Sequence, residues 1–272
     1  MITNSTRNCT FGGLLASAAL IGTAHATTTI LGYDEEDFAI TGNPFVDVDL
    51  GMTSTTALWD GVGSDDHPGY PKFPGSGDWP APMSPNSGNS TAVLEKVSNG
   101  AGGGPYPSSS SIYFGGQSLG DIDGGTVRAY DAAPVSDVST VVFQIQIGDS
   151  LAWAFYQDQM PTLSYTTDSG TVYNIPATFE SYYAMIASPG FEGFDIGVKT
   201  YAFQWDLSGV EEEITEVWVS VNAVQHAQIY GMQLDEGAAV YTESILPASI
   251  PEPSIALWGA AGMFALLIRH RI

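Results

Sequence analysis

Short runs of alternating apolar and polar residues recur through the middle of this 272-residue chain, and they decide its fold class. Val217-Trp218-Val219-Ser220-Val221-Asn222 sets three valines on one side of an extended strand, because successive side chains point to opposite faces. Tyr201–Asp206 sets three aromatics on one face, and Phe143–Ile147 and Gln228–Leu234 alternate in the same way. Phe45–Leu50, Ala92–Val97, Ser111–Phe114, Thr126–Tyr130, Leu151–Tyr156, Leu163–Thr166 and Thr171–Ile175 are further strand candidates. Turn residues part them, as in Gly148-Asp149-Ser150, Thr167-Asp168-Ser169-Gly170 and Asp206-Leu207-Ser208-Gly209. No amphipathic helix stands among them. The expected fold is all-β, an antiparallel β-sandwich of jelly-roll or lectin-like type over residues 27–244, with 245–250 as a spacer.

Both ends of the chain have a different character. Arg7 precedes an apolar stretch from Phe11 to Ile21, and Ala24-His25-Ala26 supplies a small-residue cleavage site. That is the layout of a secretory signal peptide over residues 1–26, with Ala24 and Ala26 as the signal peptidase site. The single cysteine, Cys9, lies inside it, so the exported body is expected to fold without disulfides. At the other end stand Pro251-Glu252-Pro253-Ser254, an uncharged run Ile255–Ile268, and Arg269-His270-Arg271-Ile272. Two prolines fix two φ angles and remove two N–H donors, which keeps the tripeptide extended and readable by a peptide-binding cleft. The apolar run is shorter than the roughly 20 residues that cross a bilayer comfortably, so a plain tail anchor and a buried core helix are the competing readings. Arg269 and Arg271 act as a membrane stop at a cytoplasmic face and favour insertion over burial.

Residues 251–272 resemble the PEP-CTERM sorting signal, with Pro251, Glu252 and Pro253 as its motif. The resemblance implies an exosortase, a membrane-embedded protease-transpeptidase, as processing partner. It also implies transient inner-membrane anchoring through the C-terminal transmembrane segment, and a final place at the cell surface or outside a bacterium that exports exopolysaccharide.

Charge narrows the partners further. The chain has 30 acidic residues against seven Lys and Arg, and three of those seven (Arg7, Arg269, Arg271) lie in the terminal segments. Such a body repels phosphate backbones and anionic membrane surfaces, which excludes nucleic acid as a partner. The acidity serves solubility, or some of the carboxylates hold calcium.

The candidate sites are few. Gly148-Asp149-Ser150-Leu151 spells the nucleophile block of a lipase/esterase family, but the later Gly-x-Asn-Asp and Asp-x-x-His blocks are missing, and a β-turn accounts for it. His67 and His226 are the only histidines outside the terminal segments; His226 reads as a hydrogen-bonded structural residue and His67 as a loop residue. With Asp65 and Asp66, His67 forms an alternative metal site. Asp121-Ile122-Asp123-Gly124-Gly125 begins like a calcium turn, so Asp121 and Asp123 are the candidate calcium ligands, although the closing acid of an EF-hand is missing. In the Pro/Gly/Asp-rich stretch 59–90, Trp59, Tyr70 and Trp79 are candidates for stacking on sugar rings; the competing reading has Trp59 and Trp79 covering the sandwich ends. Glu180, Glu192 and Asp195 are possible acids for glycoside hydrolysis, but nothing selects a pair. The functional expectation is a non-catalytic cell-surface or extracellular-matrix protein binding exopolysaccharide, with no cofactor beyond calcium. The alternative is a secreted carbohydrate-active hydrolase on a lectin-like sandwich.

Overall fold

The alternating runs become strands whose apolar sides face one shared core. A computed structural model describes residues 43–72, 77–89, 91–150, 153–189 and 195–250. The strands are β1 (Ser54–Trp59), β2 (Ser87–Gly88), β3 (Ala92–Asn99), β4 (Tyr106–Pro107), β5 (Ile112–Tyr113), β6 (Asp123–Asp131) and β7 (Thr140–Gly148). They continue as β8 (Thr162–Thr167), β9 (Gly170–Ile175), β10 (Phe179–Pro189), β11 (Asp195–Asp206), β12 (Ile214–Val224) and β13 (Gln228–Gly237). Two antiparallel sheets result. The larger runs β10-β11-β7-β13-β1-β2, with β5 and β4 joined beside β13, and the smaller runs β3-β6-β12-β8-β9. Val141, Phe143, Ile145 and Ile147 of β7 meet Val217, Val219 and Val221 of β12 in the sandwich-like core.

The signal peptide residues Ala24 and Ala26, the motif Pro251, Glu252 and Pro253, and the stop residues Arg269 and Arg271 lie outside the described residues. Among the described residues no helix is long and apolar enough to cross a membrane.

Three segments depart from expectation for physical reasons. Phe45–Leu50 joins no ladder, although Phe45 and Leu50 are buried. Its partner is a side chain: the Gln144 amide donates to the Val46 carbonyl at 2.8 Å and accepts the Val46 N–H at 3.1 Å. Within the expected strand Leu151–Tyr156, Phe155 makes only an isolated bridge to Ala223, and a 3-10 turn follows over Tyr156–Asp158 with Gln157 and Asp158 in left-handed backbone. β10 escapes the alternation pattern because a bulge between Tyr182 and Ala184 shifts its phase. The extra residue, Tyr183, is thereby re-aimed outward and donates to the Gln144 amide oxygen at 2.7 Å.

Residues 245–250 are not a loose spacer but are tied to the large sheet. Gln204 accepts the Ile245 N–H at 3.0 Å and donates to the Glu243 carbonyl at 3.1 Å. Ser181 donates to the Pro247 carbonyl, and the Ile250 N–H reaches the Tyr182 carbonyl at 2.8 Å. The Tyr241 hydroxyl bonds the Asp49 carbonyl at 2.6 Å, joining this strap to the one at 43–52.

Candidate glycan-binding face

On the outer side of the small sheet, alternation places the residues that do not enter the core. With Val217, Val219 and Val221 pointing inward on β12, Glu216, Trp218 and Ser220 point out. On β6 the same logic turns Val127 and Ala129 inward and Arg128 and Tyr130 outward. Register then assembles the face: Trp218 pairs with Tyr130, and Ser220 with Arg128.

An aromatic row follows. Tyr130 lies 6.2 Å from Trp218 and Tyr173 lies 5.9 Å from it on the other side, ring centre to ring centre. The Arg128 guanidinium sits 5.1 Å from the Tyr130 ring and 5.6 Å from the Trp218 ring, a cation–π arrangement that holds both planes. The Glu95 carboxylate fixes that guanidinium from β3 at 2.6 Å. Glu216 accepts the Tyr130 hydroxyl at 2.8 Å and the Thr166 hydroxyl at 3.2 Å. Burial, then this bond and the Glu216 charge, push the Tyr130 phenol up to about 12, so it remains a donor at neutral pH. Trp218 is only 8% exposed, whereas Tyr173 on the edge strand is 64% exposed. From β6 to β9 the row spans three strand spacings, about 14 Å.

At its β3 end the row meets a shallow hollow of about 230 Å³ lined by Asp78, Trp79, Ala81, Pro82, Glu95 and Lys96. Trp79 is half-buried, with its indole N–H on the Pro105 carbonyl at 3.2 Å and its ring 5.6 Å from Tyr70. Tyr70 in turn donates to the Ala81 carbonyl at 2.8 Å. The expected platform of Trp59, Tyr70 and Trp79 is therefore not a platform. Trp59 points into the core from β1 at 1% exposure, donating to the Met83 carbonyl, so neither ring face can meet a sugar. Trp79 alone of the three borders a hollow on this face.

The other candidates are placed as follows. Asp121 accepts the Gln157 backbone N–H at 2.7 Å and so ties its loop to the 3-10 turn, while Asp123 accepts that of Gly125 at 2.9 Å and closes its own turn. Among the described residues no three His, Cys, Asp or Glu side chains converge to hold a metal ion. The His67 ring nitrogen meets the Gly61 carbonyl at 3.0 Å, and His226 meets the Tyr113 hydroxyl. Asp149 of the Gly-Asp-Ser turn pairs with Lys199 at 3.4 Å. Glu192 lies outside the described residues.

Sequence reasoning missed Tyr130, Tyr173, Trp218 and Arg128. The signal for one of them was present, since an aromatic on the polar side of a valine-alternating strand marks an exposed aromatic face. No protein-family model, no curated protein and no solved structure matches the chain.

Proposed function

We propose that this chain is an exported, non-catalytic surface or matrix protein, a jelly-roll sandwich whose small-sheet outer face binds extracellular polysaccharide. One observation carries the reading: the Tyr130–Trp218–Tyr173 row, stiffened by Arg128, with the Tyr173 ring 64% exposed at its edge. Pyranose rings present C–H faces that pack on the electron-rich faces of aromatic rings. Ser220, Thr166 and Glu216 beside the row supply hydroxyl and carboxylate partners for sugar hydroxyls.

The hydrolase alternative needs two shifted carboxyls that a substrate can reach. The strongly raised carboxyls among the described residues, Asp235 and Glu236, are both buried, which favours binding over hydrolysis. Delivery to the surface rests on the PEP-CTERM reading of residues 251–272. Binding of the full chain to purified exopolysaccharide tests the face: Tyr173→Ala should weaken retention while leaving the fold intact, and unchanged retention overturns it. C-terminal peptide mass spectrometry tests sorting, with ends near Pro251–Pro253 expected; intact Arg269–Ile272 on surface-recovered protein overturns that part.

A further inference from the structure

A second site lies on the opposite sheet and does not depend on the aromatic row. Four buried glutamines line the outer face of the large sheet: Gln144, Gln146, Gln204 and Gln233. Three of them are engaged, with Val46 and Tyr183, with the C-terminal strap, and with Asp235. Gln146, only 2% exposed, has no hydrogen-bond partner among the described residues, and its side chain lines a cleft of about 190 Å³. A buried amide left without partners is costly unless something from solvent completes it.

The walls of that cleft are fixed. Asn86 accepts the N–H groups of Asp60 and Gly61 at 3.0 Å each, which holds the loop after β1. The Ser64 N–H bonds the Ser108 carbonyl at 2.5 Å and latches the 108–111 loop against it. A bulge between Ile229 and Gly231 makes Tyr230 the extra residue of β13, and Tyr230 lines the cleft beside Gln146. Gly61 keeps the mouth open, since a Cβ there would stand 2.6 Å from the Asn86 amide nitrogen and 3.1 Å from an Asp66 carboxylate oxygen.

The mouth itself is anionic. Asp60, Asp65 and Asp66 line it, and none of them is in an ion pair among the described residues. They do not converge as metal ligands. An occupant must then be small, carry positive charge toward the mouth, and offer hydroxyls to a buried amide and a flank to a phenol ring. From this we infer that the cleft binds a hexosamine with a free ammonium group, the unit of a deacetylated amino-sugar polymer. The ammonium lies among the three aspartates, the ring lies along Tyr230, and a ring hydroxyl meets the Gln146 amide. Sites on opposite faces of one sandwich would let a single molecule bridge two glycan chains.

Calorimetric titration of the full chain at pH 6 with glucosamine, N-acetylglucosamine and calcium chloride, each separately, tests the site. Glucosamine should bind saturably, and N-acetylglucosamine, the same ring without the charge, at least about tenfold more weakly. Asp60→Asn with Asp66→Asn should cost at least about tenfold, and both positions are exposed, so the fold should survive. Gln146→Met should weaken binding as well. Absence of saturable glucosamine binding, equal binding of the acetylated sugar, a response to calcium in place of glucosamine, or aspartate variants that bind normally overturns the assignment.

Discussion

The outer faces of the two sheets are built from the same alternating strands and meet opposite fates. On the large sheet the outward residues are amides and small polar groups, Gln144, Gln204, Thr140 and Ser181, and two straps from the ends of the described chain bury them. A glutamine amide carries one donor end and one acceptor end in a plane, as a peptide group does, so Gln144 and Gln204 extend the sheet sideways to a chain that runs over it. On the small sheet the outward residues are Arg128, Tyr130, Trp218 and Tyr173, which pack on one another and leave the Tyr173 ring exposed at the sheet edge. Polar groups that mimic the backbone engage the chain's own backbone, whereas the aromatic and charged groups of the small sheet engage one another. Gly237 marks the boundary on the covered side, because a Cβ there would come within 2.6 Å of the Leu50 side chain and lift the N-terminal strap.

If the covered sheet carries the stability, its titrating groups should dominate the pH response. Glu236 points from β13 into the core against Asp131, and its carboxylate oxygens have no well-formed hydrogen bond; the Val135 backbone amide is the one donor that bears on them. Asp131 by contrast accepts from Asn89, Thr91 and the Ala133 N–H. Burial above all, then the Asp131 charge, pushes Glu236 from its ordinary 4.5 up to about 8, so Glu236 is largely protonated at neutral pH. The folded chain thus holds a proton that the unfolded chain releases. Stability is fully present below about pH 4.5 and is lost as pH rises through 8, at up to about 1.4 kcal/mol per pH unit. Asp235, raised to about 6 chiefly by burial, adds a loss between its ordinary 3.8 and that value. Denaturant titrations of wild type and Glu236→Gln between pH 6 and 8 isolate the larger effect. The variant should lose most of the slope and be the more stable chain at pH 8; an unchanged slope breaks the assignment.

The next largest effect separates the two faces directly. Gln204→Leu leaves the Glu243 carbonyl and the Ile245 N–H without their partner and should cost about 2–4 kcal/mol in urea unfolding. Tyr173→Ala on the bare face should stay within about 0.5 kcal/mol of wild type. Equal costs would mean that the straps are passive and the faces do not differ.

This division was only half legible in the sequence. Period-2 alternation marks both inner faces, because valines and aromatics at i, i+2 and i+4 need no knowledge of their neighbours. Which outward residues meet one another depends on register across β3, β6, β12, β8 and β9, and those strands are far apart in the chain. Trp59, Tyr70 and Trp79 looked like a platform because they are close in sequence, yet Trp59 shares the inner face of β1 with Ala57. Tyr130, Trp218 and Tyr173 form a row on three strands that only pairing brings together. Phe45–Leu50 reads as a strand from its apolar content, yet its buried residues, Phe45 and Leu50, lie five apart, a spacing that a regular strand would put on opposite faces.

The bare face should show its importance in affinity. Tyr173→Ala should weaken polysaccharide retention by about tenfold, measured by affinity electrophoresis, since it removes an exposed ring at no cost to the core. A smaller change tests whether the row acts as a unit. Arg128→Lys keeps the charge but loses the planar guanidinium that stacks on Tyr130 and Trp218 at once, and an ammonium cannot reproduce that double contact. Retention should fall by about threefold, with a stability loss near 1 kcal/mol, because the pair with Glu95 is partly solvated and contributes little alone. If Arg128→Lys binds as well as wild type while Tyr173→Ala does not, the ligand rests on the edge strand only. If both weaken binding in the stated order, the guanidinium is what fixes the planes of the inner rings, and the row recognises its glycan as a preorganised surface.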